Sequence, residues 1–200
     1  MTATPSASVL DSAAVRADAL ALALDDAWRW ATAPLADADV VAADLAALAE
    51  RFELPLGSLR ALVRATLGEE SGLLPEDATV AEVPEVKAAL ARLRVVARDL
   101  DAVTVRARAA SRRAIELALS APQLVRAAAR EVWQGGPSPE RDATLRRLEQ
   151  IPEELKARAE RIRAEVVSLP LRADGARKRI LEALRVRNRR LARTDRLLAV

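Results

Sequence analysis

PEVKAALARLRVVARDLDAVTVRARAASRRAIELAL, residues 84–119, is the stretch on which the fold turns. After Pro84 it contains neither Gly nor Pro, so a helix with that proline in its first turn extends for roughly 50 Å at ~1.5 Å per residue. Alternate steps of four and three from Val86 land on Leu90, Leu93, Ala97, Leu100, Thr104, Ala107, Ser111, Ala114 and Ala118. That is a heptad seam, large in its first half and small in its second, and it calls for a partner helix. The partner is legible further along. Ser138, Pro139 and Glu140 read as N-cap, first-turn proline and first-turn carboxylate. Beyond them Leu145, Leu148, Ile151, Leu155, Ala159, Ile162, Val166 and Leu169 form a matching stripe. The expected fold is therefore all-α: a helical bundle built on a long antiparallel, coiled-coil-like hairpin, residues 84–119 against 138–169, with a part made of shorter helices at the N-terminus.

Outward from the hairpin, proline and glycine divide the rest, because proline cannot continue a helix interior and glycine commonly ends one. Helices are expected from about Ser8 to Thr32, stopping before Pro34, from about Asp39 to Glu53, and from about Leu56 to Thr66, ended by Gly68. Residues 68–83, with two glycines, a proline and five carboxylates, read as a loop or linker. Pro122 is expected to restart a short helix, Pro152 to kink or split the helix that contains it, and a last helix to begin near Asp174. The expected organisation is an acidic helical part at 1–68, a linker at 69–83, and a long-helix bundle with a basic C-terminal helix at 84–200. No segment shows the sustained alternation of a strand.

Composition removes most chemistry. Among 200 residues there is no His, no Cys and no Tyr, so imidazole bases, thiol nucleophiles, disulfides and Cys/His metal sites are excluded. Adjacent carboxylates such as Asp25–Asp26 and Glu153–Glu154 point about 100° apart on a helix and do not share a site. The expectation is a protein that is not an enzyme, with no catalytic residues, no cofactor and no metal. No window reaches the apolar length of a membrane span, and residues 1–10 lack a basic, apolar secretory pattern. The expectation is a cytoplasmic protein with no membrane partner.

Charge is distributed unevenly. Residues 1–100 hold 9 of the 32 basic side chains and 16 of the 29 acidic ones. The halves can neutralise one another in the fold or between subunits, or the basic half can meet a polyanion. The C-terminal helix concentrates the question. Ile180, Leu181, Leu184, Asn188, Leu191 and Leu198 share one face, while Arg185, Arg189, Arg193 and Arg196 lie on the other. That basic face can hold nucleic-acid phosphates or an acidic surface, including the chain's own.

Two further segments carry functional expectations. Residues 45–64, LAALAERFELPLGSLRALVR, resemble a helix-turn-helix DNA-binding unit: Ala49 falls where the motif takes a small residue, and Leu48, Phe52, Leu54, Leu59 and Leu62 at its apolar positions. The resemblance implies that Ser58, Arg60 and Arg64 approach bases or phosphates. Glu53 stands where the turn takes Gly, and Asp37, Asp39 and Asp44 precede it. A plain helical corner is the other reading. The first helix is apolar on two sides, with Leu10, Ala14, Ala17, Leu20, Leu24 and Trp28 on one and Val15, Ala19, Leu22 and Trp30 on the other. Either the bundle wraps it, or one side, with Leu22, Trp28 and Trp30 as contacts, meets a protein partner. The function expected is a non-enzymatic helical interaction factor (adaptor, chaperone-like or assembly component), present as a homo-oligomer, most simply a dimer. The alternative is a DNA-binding or nucleoprotein factor using residues 45–64, the Arg-rich C-terminal helix, or both.

Overall fold

The computed structural model describes residues 7–69, 72–134 and 137–198, with side chains within them for Val15 and from Asp18 to Arg185. The fold is all-α. Six helices follow in order: α1 Ala7–Arg51, α2 Leu56–Thr66, α3 Pro75–Ala81, α4 Pro84–Trp133, α5 Pro139–Val166 and α6 Leu169–Leu198. There is no strand among the described residues, and no helix there is long and apolar enough to cross a membrane.

Two prolines expected to mark helix boundaries sit inside helices instead, Pro34 in α1 and Pro122 in α4, and Pro152 does not split α5. Each removes one backbone donor and crowds the carbonyl four residues earlier. Burial on both sides of the proline outweighs that loss. In α1 the stripe Leu24, Ala31, Leu35, Ala38, Ala42, Leu45, Ala49 runs through Pro34 without a change of register, every member buried. In α4 Ala114 and Ala121 precede Pro122 and Val132 follows it, all buried. The stretch 69–83 is not wholly a loop, because α3 lies inside it. Pro75 opens α3 at a position that needs no N–H, and the buried Asp77 carboxylate accepts the Leu74 N–H at 2.7 Å. The expected cap of α5 is present: the Ser138 hydroxyl accepts the Arg141 N–H at 3.1 Å. The last helix begins five residues before the expected Asp174, at Leu169.

Contacts divide the chain into two compact units that cut across the expected boundaries at 68 and 84. The first contains residues 1–31 and 105–168, the second residues 32–104 and 169–200. In the first, α5 supplies the large side chains. Leu148, Ile151, Leu155 and Ile162 pack on Ala114, Ala121 and Val132 of α4 and on Ala21 and Leu24 of α1. Contacts fix the directions. Asp18 meets Arg147 and Asp25 meets Arg158, so α1 and α5 run parallel, while Trp30 lies at Arg106 and Leu20 near Leu124, so α1 and α4 run antiparallel. The hairpin of α4 and α5 is thus present, its α4 arm being the alanine-rich 105–133.

The second unit holds the large half of the seam. Val86, Leu90, Leu93, Val96, Leu100 and Val103 are buried, as are Leu59, Leu62 and Val63 of α2 and Leu169, Ile180 and Leu184 of α6. Helix α2 packs on α3 and α6. Ion pairs join its acidic and basic segments: Arg179–Asp39 at 2.8 Å, Arg92–Asp44 at 2.9 Å, and Arg177 with Asp101. Counted over the sequence, the second unit has 17 basic and 16 acidic residues, and the first 15 and 13. The imbalance between the halves of the sequence largely disappears when the chain is divided by contact.

Candidate interaction surfaces

The outer side of α1 is the first surface. Ala21, Leu24 and Ala31 turn into the core of the first unit, and the side opposite is left without cover there. Val15 is 64% exposed, Leu22 58% and Trp30 63%. Steps of seven and eight residues keep these three within an arc of roughly 80°, on one face of the helix. Of the two readings of the double-sided helix, the one in which this unit wraps it does not hold for Val15, Leu22 and Trp30. Trp28 differs from its two companions: it is half-buried and packs on the core cluster beside Ile115 and Leu117. It serves the fold.

Trp30 borders an open groove of about 740 Å³ between α1 and α4. Its ring lies under the Arg106 guanidinium, 4.8 Å from cation to centroid, an attraction worth about 0.5–1 kcal/mol where water has access. From Arg106 the groove follows Arg113 and Ser120 at successive seven-residue steps along α4. Ala27, Ala109 and Ala110 make the wall low, and Arg112 and Glu116 stand at its edge. Neither Arg112 nor Arg113 has an ion-pair partner among the described residues. A second, mostly apolar groove of about 490 Å³ lies among Leu20 of α1, Leu124 and Val125 of α4, and Ile151 and Leu155 of α5.

Nearby charges are firmly matched on the α5 side. Arg147 donates to Asp18 at 2.6 Å and to both Glu154 oxygens. The Arg147 hydrogen bond is the main reason the Glu154 carboxyl is held below the usual carboxylate range, and the same contact holds the guanidinium more firmly protonated.

The stretch 45–64 is two helices joined by a short turn, as both the resemblance and the plain helical corner require. Helix α1 ends at Arg51, α2 begins at Leu56, and between them Glu53 takes φ 47°, the left-handed conformation for which such turns use glycine. Ala49, Leu59 and Leu62 are buried. The side chains offered for contact are placed differently from expectation. Ser58 is buried, because its position faces the same side as Leu59 and Leu62; it presents nothing to a groove of DNA. Arg60 is half-buried, and Arg64 is exposed but paired with Glu69 at 2.9 Å. In the C-terminal helix Arg185 is exposed, while Arg189, Arg193, Arg196 and Asn188 lie outside the residues whose side chains are described.

The groove was missed in the sequence because it joins residues some eighty apart. The Arg106–Arg113–Ser120 spacing is visible in the chain, but Trp30 becomes its neighbour only through the packing of α1 on α4. Among the described residues no group of three acidic side chains could hold a metal ion. No family model, curated protein or solved structure matches the chain.

Proposed function

We propose that this protein is a non-enzymatic helical interaction factor that binds other protein surfaces through the outer side of α1. The observation that carries the reading is the exposure of Val15, Leu22 and Trp30 on one face of a helix whose other side is core. Large apolar side chains lined up in water are characteristic of a surface that another protein covers. A second copy of the chain is one such cover, so self-association, most simply as a dimer, belongs to the proposal. Light scattering on wild type and Leu22→Asp tests it: wild type at micromolar concentration has a multiple of the 21.6 kDa chain mass, and the variant the mass of one chain. Affinity capture from the native host after nuclease treatment tests binding to other proteins. Loss of the same captured proteins with Leu22→Asp supports the reading. A monomeric wild type that captures nothing sensitive to the variant overturns it.

The left-handed turn at Glu53 favours a second reading, DNA binding through α2. Its expected signature is duplex retardation that weakens steeply with salt and is lost in Arg60→Glu/Arg64→Glu. Retardation indifferent to those two arginines removes α2 from the account.

A further inference from the structure

We propose that the groove beside Trp30 receives an acidic amphipathic helix of a partner protein. This rests on the interaction reading above and specifies the chemistry of the partner. Charge is the first argument. From Arg106 to Glu131, α4 carries six arginines against Glu116 and Glu131. Arg108, Arg112, Arg113, Arg126 and Arg130 are exposed, and none has an ion-pair acceptor among the described residues. On α5, by contrast, Arg147, Arg158 and Arg161 find carboxylates on α1. Arg112 and Arg113 therefore line an open groove with no carboxylate paired to them among the described residues, and carboxylates on an incoming helix complement them.

Shape is the second argument. Ala27, Ala109 and Ala110 keep the groove shallow enough for a helix backbone to approach closely, since interaxial distance follows the size of the side chains at the contact. From Arg106 to Ser120 the groove runs fourteen residues of α4, about 21 Å, or roughly four turns of a partner. Trp30 walls one end, held by Arg106 and ready to cover an apolar side chain. Leu119, among the most exposed side chains of α4, offers a further apolar contact beside the arginines. A phosphate backbone suits the site less well: Glu116 lines the groove, and phosphates make no use of the alanines.

The test is fluorescence anisotropy of the full chain with two labelled peptides of about five helical turns. Both have an alanine background and a leucine stripe, one flanked by Glu and the other by Lys. Wild type binds the Glu peptide and not the Lys peptide. Trp30→Ala weakens binding by about tenfold. Arg112→Glu/Arg113→Glu abolishes binding of the Glu peptide and gains binding of the Lys peptide, an exchange that damage to the fold does not produce. Arg112→Gln/Arg113→Gln gives an intermediate loss and serves if the charge reversal lowers the helical circular dichroism. Equal binding of the two peptides, or none of the Glu peptide, overturns the assignment. So does a short DNA duplex that binds through Arg112 and Arg113 and displaces the Glu peptide. The two proposals fail separately: capture that depends on Leu22 without Glu-peptide binding leaves the interaction reading standing and removes this one.

Discussion

In the first unit the large side chains come mainly from α5, set against alanines on α4 and α1, whereas in the second unit α4 itself brings the leucines and valines, met by large residues on α2 and α6. The two halves of α4 show the consequence within one helix. Where it carries Leu90, Leu93, Val96 and Leu100, the neighbouring elements close over it, and ion pairs from Asp39, Asp44 and Asp101 fasten the rim. Where it carries Ala109, Ala110, Ala114 and Ala121, helices pack but grooves remain beside them, and Arg112 and Arg113 find no carboxylate among the described residues. Small residues on a long helix thus serve close approach and vacancy together. The first unit is where the proposals above place binding.

Core truncation tests this contrast with the largest effect. Leu155→Ala in the first unit and Leu100→Ala in the second, both almost wholly buried, each cost about 2–5 kcal/mol. The three tryptophans, Trp28, Trp30 and Trp133, all belong to the first unit. Tryptophan fluorescence in urea therefore reports that unit alone, while helical circular dichroism reports both. With Leu100→Ala the dichroism transition moves to lower urea ahead of the fluorescence transition. Coincident transitions in both variants would show the units unfold as one.

Pro122→Ala comes next. Pro122 is exposed inside α4, so alanine restores a backbone hydrogen bond at little packing cost and stabilises the first unit by about 1–3 kcal/mol. The fluorescence midpoint rises. An unchanged or lower midpoint would mean that Pro122 is accommodated without penalty. In the second unit Glu53→Gly relieves a left-handed residue and stabilises by about 1 kcal/mol, visible in dichroism and absent from fluorescence if the units are separable.

The smallest effect is one of pH. The folded-state value of Glu154 is lowered from its ordinary 4.5, so its contribution is present above that value and is lost as pH falls through the lower, folded one. Its side chain is 39% exposed, and screening limits the contribution to about 1 kcal/mol or less. Urea midpoints at pH 7 and pH 3 should differ less in Glu154→Gln than in wild type. An equal pH dependence would assign the acid sensitivity of the first unit to other carboxylates.

The extent to which the sequence disclosed this structure follows from the range of the forces involved. Helix α2 and the Ser138 cap were legible, because a hydrogen bond to a backbone amide three residues away and a glycine after the last turn are local signals. Helix α3 could have been read from Pro75 and Asp77, but Gly72 and the carboxylates around it made the stretch look like a loop. Pro34 and Pro122 misled for the opposite reason. Their penalty is local and fixed, while the burial that overrides it depends on residues tens of positions away on another helix, such as Leu148 and Ile162 for the stretch around Pro122. On the functional side, the exposed line of Leu22 and Trp30 was visible as periodicity. The fate of Ser58 and the union of Trp30 with Arg106 required the packed chain.

Because each unit is assembled from two separated stretches, the order in which the chain leaves the ribosome determines what can close and when. Residues 1–31 lack their partners in the first unit until 105–168 follow, and 32–104 lack theirs until 169–200 do. For most of its synthesis, at about 5–20 residues per second, the nascent chain displays the apolar stripe of α1 to solvent and to any chaperone at hand. A chain truncated after residue 168 contains every segment of the first unit and lacks α6, so its tryptophan fluorescence is that of the folded protein while its second unit stays open.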